Sequence, residues 1–441
     1  MRKFFQYLFL FVPLCTSAMK VVHDTPGMEI HDVFLAGKAK YVLSYSHQFN
    51  DTLIIPNGSV LKFDGGSLNG PIKFNRTSLK GEVKLKGSSI SGDVTNKKFD
   101  ASWLCAMDGV KDDAPQINEM IEVCGYVYFP KGNYRLITAF NPKGKLSKEL
   151  YSSAYGHIAI CKSNVTLEGE HGATFVTDKP LITVCVFSQP NDIAHSIRNI
   201  RIENITIEVH NDGANFHEFM HTIKMMGVNG ITIKNCTFND FWGDAICLSH
   251  YGDNPQTGER TRNQNVRILN NTIAGGDHHS NRNGISVING KNVMIKDNTI
   301  KNTSRKDMPG GIDVEPNNPA YTIENIRIED NVLEGIKGGG GAISVVSPQG
   351  GPAHRIYIVN NVIKDSNTGI FIYLKSEDVT DTYVIKNNKV DSNTRPYRFE
   401  GEGKSRNWIV KGNVFDRPCK QEIPGDIQVT GLVMKDNKKK D

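Results

Sequence analysis

Asp313 and Glu315 stand two residues apart in the stretch "GGIDVEPN", inside an otherwise apolar run. Acidic side chains are poor strand formers, and two on one face repel. In an extended strand, residues i and i+2 share a face and lie roughly 6.5–7 Å apart. Paired carboxyl groups that cleave glycosidic bonds are spaced at about 5–5.5 Å or 6.5–9.5 Å, so the pair fits acid/base work on a sugar chain. Gly310 and Gly311, just ahead of it, would clear space for a substrate. A third carboxylate, Asp244, precedes the apolar run of "WGDAICLS". Around these lie His250, His278, His279, Arg282, Asn283 and Lys224, whose side chains could hold the hydroxyls or a carboxylate of a saccharide. The competing reading is bland: strand carboxylates are often just solvated. No zinc-type spacing and no cofactor motif is present, so the expected metal set is none. The hard oxygens of Asp313, Glu315 and Asp277 would suit calcium alone.

Such residues need a scaffold, and the sequence supplies one by repetition. "IRIENITI" starts at Ile200, "ITIKNCTF" at Ile231, "VRILNNTI" at Val266, "VMIKDNTI" at Val293 and "IRIEDNVL" at Ile326. "IYIVNNVI" at Ile356, "YVIKNNKV" at Tyr383 and "WIVKGNVF" at Trp408 complete the series. The intervals run from 25 to 35 residues. Each unit alternates with period two, as a strand does, and an Asn pair then turns the chain. A second short strand follows: "DAICLS", "NGISVI", "GIDVEP", "AISVVS", "GIFIYL". One unit cannot bury its apolar face alone, so the units must stack. The fold class this predicts is all-β, a right-handed parallel β-helix. Stacking would align Asn271, Asn298, Asn331, Asn361, Asn388 and Asn413 as a structural ladder. It would also put Lys224, Cys247, Ser286, Asp313, Ser344 and Phe371 in one outward column.

Upstream, "DAPQINEMIEVCGYVYFPKGNY" predicts an amphipathic helix over 114–123 followed by a strand and a turn. This cap and the repeats resemble the pectate-lyase-like β-helix superfamily, which includes polygalacturonases and phage tail spikes, over residues 100–415. Within it, "GDAICLS" is similar to the polygalacturonase strand "GDDCIAI", and "RNGISVI" to "GHGISIG" one turn on. The resemblance implies a helix closing the open end of the coil and a polysaccharide as substrate. Two departures matter. Gly243 stands where one of the paired polygalacturonase aspartates would be, and Asn283 stands where its histidine would be. Three activities remain: a glycoside hydrolase using Asp313, Glu315 and Asp244, a lyase or epimerase acting on uronates with Lys224 or a histidine as base, and a non-catalytic glycan binder using Phe371, Tyr373 and Tyr251.

The remaining features set bounds. "MRKFFQYLFLFVPLCTSA" has the basic start, apolar centre and small-residue end of an export signal, and predicts a secreted or periplasmic protein. Cys15 within it would be the site of any lipid anchor. Without Arg2 and Lys3 the basic count falls from 52 to 50 against 47 acidic residues, a net charge of +3. That near-neutral balance and the lack of a basic stripe argue against nucleic acid as partner. No later segment is apolar for long enough to span a bilayer. The eight cysteines show no CxxC and default to buried thiols. The expected organisation is a signal at 1–18, a small β-module at 19–100, the β-helix at 101–415, and a C-terminal cap with a basic tail at 416–441.

Overall fold

The computed structural model describes residues 19–140, 156–187, 197–212, 217–249, 251–253, 260–276, 281–302, 310–316, 318, 321, 323–347, 351–375, 380–417 and 427–439. The signal segment with Cys15, and also Cys419, lie outside the described residues. The chain divides into two compact units, Met1–Asn96 and Lys97–Asp441.

The first unit is a small coil of its own. Its strands pair only in parallel: Val21 opposite Lys40, Lys40 opposite Val60, and Val60 opposite Ser78, rungs of 18 to 20 residues. The sequence suggested merely a small β-module, because short strands with variable turns do not declare their partners. Asp24 ties this unit together. Its buried carboxylate accepts the N–H of Ser44 at 2.8 Å and of Tyr45 at 3.0 Å, and meets His47 Nε2 at 3.0 Å.

In the second unit a helix, Ala114–Cys124, carries Pro115 in its first turn and ends at Gly125 in the left-handed conformation (φ 76°), as helix ends favour. It buries Ile117, Met120 and Ile121. Parallel rungs follow. The eight repeat starts, from Ile200 through Trp408, are consecutive cross-strand partners. Each rung has three strands, represented by Asn263–Leu269, Thr272–Ala274 and Ile285–Val287. The first strands form one long parallel sheet, and the second and third form another. The inward residues of the third strands, such as Ile285, Val287, Ile312 and Val314, are fully buried.

The turn between first and second strands explains the Asn pairs. The first residue of each pair takes a positive φ, as at Asn270 (51°), Asp330 (57°) and Asn387 (57°), which Asn and Asp tolerate best. The second points inward and stacks. Asn331 donates from both its backbone N–H and its Nδ2 to Asn361 Oδ1 at 3.0 Å, and again from Nδ2 to Ile295 O at 2.9 Å. The pattern runs unbroken from Asn271 to Asn437. Asn437 extends the ladder into residues 427–439, where "LVMKDN" repeats the motif. Breaking this ladder is costly, since buried polar groups left without partners cost about 1–3 kcal/mol each. Asn331→Ala is expected to lower the urea unfolding free energy by about 2–4 kcal/mol. The same change at the exposed strand residue Asn239 should cost below about 1 kcal/mol.

The six described cysteines are thiols and not halves of disulfides, and Cys105, Cys185, Cys236 and Cys247 are buried. No helix among the described residues is long and apolar enough to cross a membrane.

Candidate functional site

The third strands place the candidate residues. Cys185, Lys224, Cys247, Ser286, Asp313, Ser344 and Phe371 are successive cross-strand partners, one residue per rung. The corner ahead of those strands stacks His221, Asp244 and Asn283, through bonds such as Ala245 N–H to Asn283 O at 3.1 Å. Glu315 follows the end of its strand, its N–H bonded to Val287 O at 2.9 Å.

This column is not the open face that alternation suggests. Asp313 is 0% exposed, Lys224 3% and Ser286 1%. Glu315 is half-buried and is the member of the pair nearer solvent. The glycines also serve another purpose than clearing a groove. A Cβ on Gly310 would come within 2.1 Å of Ile336, and one on Gly311 within 2.5 Å of Leu333, so both permit rungs to pack closely. Gly243 is similar. A Cβ there would meet Glu218 O at 2.7 Å and His221 Nδ1 at 3.0 Å. The segment carrying Glu218 and His221 therefore occupies the space beside position 243.

Asp313 and Glu315 act on each other as neighbouring carboxyl groups, as two residues on one strand face should. Burial, then the Glu315 charge, push the Asp313 carboxyl well above the ordinary carboxylate range. Burial and Asp244 also raise Glu315, against the pull of Arg282. Two neighbouring carboxyl groups removed from water resist ionising together. Asp313 Oδ2 accepts from Asn283 Nδ2 at 3.4 Å, while its buried Oδ1 has no hydrogen-bond partner.

Asp244 behaves oppositely. Burial alone would raise its pKa. Arg282 and His221 outweigh burial, helped by the N–H of Asn283 at 3.0 Å, and hold the carboxyl at about 2. Arg282 stands between two acids, with Nε 3.8 Å from Asp244 Oδ1 and a terminal nitrogen 3.1 Å from Glu218 Oε1. Burial lowers the His221 pKa despite Asp244. Its Nδ1 lies 3.0 Å from the Asp244 backbone N and 3.2 Å from Asp244 Oδ2. Lys224 is pushed down by burial, with Cys247 and Cys185 opposing, and no ion pair partners it among the described residues.

Of the expected site residues, the structure brings Asp313, Glu315, Asp244, Arg282, Asn283 and Lys224 together. His250, His278 and His279 lie outside the described residues, as do Asp277 and Arg305. His221 joins the cluster from the register position it shares with Asp244 and Asn283, and Glu218 from an irregular loop whose spacing gives no periodic signal. Phe371 is not an open platform: the Arg398 guanidinium lies 4.6 Å over its ring. Tyr373 is half-buried beside it, the ring centroids 6.4 Å apart.

Calcium through Asp313, Glu315 and Asp277 cannot be assembled from the described residues, since Asp277 is not among them. His221, Asp244 and Cys247 bring possible ligand atoms within 4.8 Å of one another. They suit an ion poorly. His221 Nδ1 is already engaged by Asp244, Arg282 already neutralises Asp244, and Lys224 is the cross-strand neighbour of the thiol.

Residues 221–415 match the family described as the right handed beta helix region. No curated protein matches the chain. Among solved structures it is similar to the surface adhesin PfbA of Streptococcus pneumoniae, at 15% identity and a TM-score of 0.40, covering 77% of this chain and 92% of that one. It is also similar to a family 28 exopolygalacturonase of Yersinia enterocolitica, at 13% identity and a TM-score of 0.46, covering 79% of each. A third likeness is to the tailspike protein of Acinetobacter baumannii phage AM24, at 15% identity and a TM-score of 0.45, covering 78% of this chain and 54% of that one. With its stacked rungs, Asn ladder and capping helix, the second unit folds as a right-handed parallel β-helix, and residues 221–415 match the family model of that region.

Proposed function

We propose that the cluster on the third strands is the acid–base centre of a secreted carbohydrate-active enzyme, a glycoside hydrolase acting on a polysaccharide. One observation carries this reading: neighbouring carboxyl groups whose pKa values are driven apart, Asp313 and Glu315 upward and Asp244 down to about 2. Such divergence assigns acid and charge-bearing roles at one pH. Glu315, nearer solvent, is the proton donor to the glycosidic oxygen. Asp313 beneath it keeps that proton available, and so acts as a positioning residue. Ionised Asp244 takes the proton of the water that attacks the anomeric carbon from the opposite face.

Because Asp313 and Glu315 are neighbouring carboxyl groups, they work as one proton-holding unit and not as donor plus nucleophile. Two rungs of about 4.8 Å separate Asp244 from that unit. This is nearer the inverting spacing of roughly 6.5–9.5 Å than the retaining one of about 5–5.5 Å. The reaction is therefore expected to invert the anomeric centre.

A second reading rests on Lys224. A buried amine with a lowered pKa can be neutral, and a neutral amine can take the proton beside a uronate carboxylate in a lyase or epimerase. Purified protein screened against a polysaccharide panel separates the readings. New reducing ends without ultraviolet absorbance from unsaturated uronates support the hydrolase, and that absorbance supports a lyase. Binding with neither signal would leave a glycan-binding protein and overturn both enzymatic readings.

A further inference from the structure

A different face of the coil carries a second site. The outward side of the first sheet holds a cleft of about 640 Å³ over the rungs that begin at Ile231, Val266, Val293 and Ile326. Its floor follows from the register. One outward column reads Arg267, Met294, Arg327 on consecutive rungs, and the neighbouring column reads Lys234, Leu269, Lys296. Each column is therefore cation, apolar, cation, and the two apolar side chains lie within one ring of positive groups. Asp297 is the single carboxylate in the lining. Lys296 is held by Asp330 at 2.9 Å, and Arg327 by Glu329 at 2.7 Å and by the Tyr357 ring at 4.7 Å. Arg267 and Lys234 are exposed and have no ion-pair partner among the described residues. Asparagine amides edge the cleft. Asn292 and Asn325 each donate to the previous rung's amide oxygen, at 3.2 and 2.8 Å, which leaves a second amide N–H on each.

We propose that this cleft binds an acidic saccharide, one that carries carboxylates on its rings. The half-buried Leu269 and Met294 suit the C–H face of a sugar, and the rim amides suit hydroxyls. The Arg267 guanidinium presents a fork that matches a carboxylate, and Lys234 adds a point charge. Other occupants fit less well. A second copy would bring the same positive face against itself. Single-stranded nucleic acid binding relies on exposed aromatic rings for stacking, and none lines the cleft. The site is independent of the cluster on the third strands.

The test is titration calorimetry of the full chain with polygalacturonate, at low and high salt, with neutral dextran as control. Glu315→Gln provides a background that prevents turnover. Binding is expected to weaken with salt. The double substitution Arg267→Ala with Lys234→Ala should weaken it roughly tenfold or more, since each removed contact is a charged one. Met294→Glu, which puts a carboxylate on the floor, should do the same. All these positions face outward, so the unfolding temperature should stay at the wild-type value. Wild-type affinity in both variants would overturn the proposal, as would dextran binding with the same sensitivity. Tighter binding of duplex DNA than of polygalacturonate, lost in the same variants, would overturn it in favour of a phosphate backbone. Polygalacturonate binding that ignores Arg267 and Lys234 would remove this site while leaving the enzymatic reading intact.

Discussion

Asp313→Asn is expected to abolish turnover and, at neutral pH, to stabilise the protein. The two effects have one cause. Burial and the adjacent Glu315 raise the folded-state pKa of Asp313, whereas the unfolded chain titrates near the ordinary value of about 4. Between those values the native state holds more protons than the unfolded state, so stability falls as pH rises through that window. Asparagine carries no charge to bury, so the variant escapes the loss. At pH 4 the two proteins should unfold alike. At pH 7 the variant should be the more stable of the two. Turnover should drop by about 10²–10⁴, the range for removing a positioned proton from the transition state. Urea unfolding at both pH values and a turnover assay read the two effects. A variant that is active, or equally stable at both pH values, would show that no proton is shared at this position.

Asp244→Ala should act in the opposite direction on stability. The carboxylate is buried, pairs with Arg282 and His221, and accepts the Asn283 N–H at 3.0 Å. Removing one partner of a buried pair leaves the other charge uncompensated, a loss of about 3–5 kcal/mol. Glu218 still meets Arg282, which places the expected value at the lower end. Because the folded pKa is depressed to about 2, Asp244 contributes stability that is fully present above about pH 4 and is lost as pH falls toward 2. The wild type should therefore lose its advantage over the variant in that interval. Asp244→Asn keeps an acceptor for the Asn283 N–H and should cost less. Equal urea midpoints for wild type and Asp244→Ala at pH 7 would show that Arg282 does not depend on this carboxylate.

The scaffold was largely legible because a solenoid writes its geometry into spacing. The apolar-x-Ile/Val pattern fixed which residues align between rungs, and the column through Lys224, Ser286 and Asp313 is the one observed. Asparagines were readable as a ladder because their positions recur with the strands. What covers an outward face leaves no period-two trace, so the burial of Asp313 and Ser286 could not be read. Gly310 and Gly311 looked like substrate space because a missing side chain reads the same for a groove and for close rung packing. Glu218 sits in a segment of irregular length, where no repeat marks it. The first unit's 18- to 20-residue rungs were hidden by turns that do not repeat their residues.

The central claim is that Asp313 and Glu315 hold one proton at neutral pH. Infrared difference spectroscopy of wild type against Asp313→Asn at pH 7 tests it most directly, because a protonated carboxyl has a carbonyl stretch that carboxylates lack. A protonated-carboxyl band present in the wild type and absent from the variant is the predicted result. A wild-type spectrum at pH 7 with carboxylate bands only would contradict it, and with it the assignment of Glu315 as proton donor.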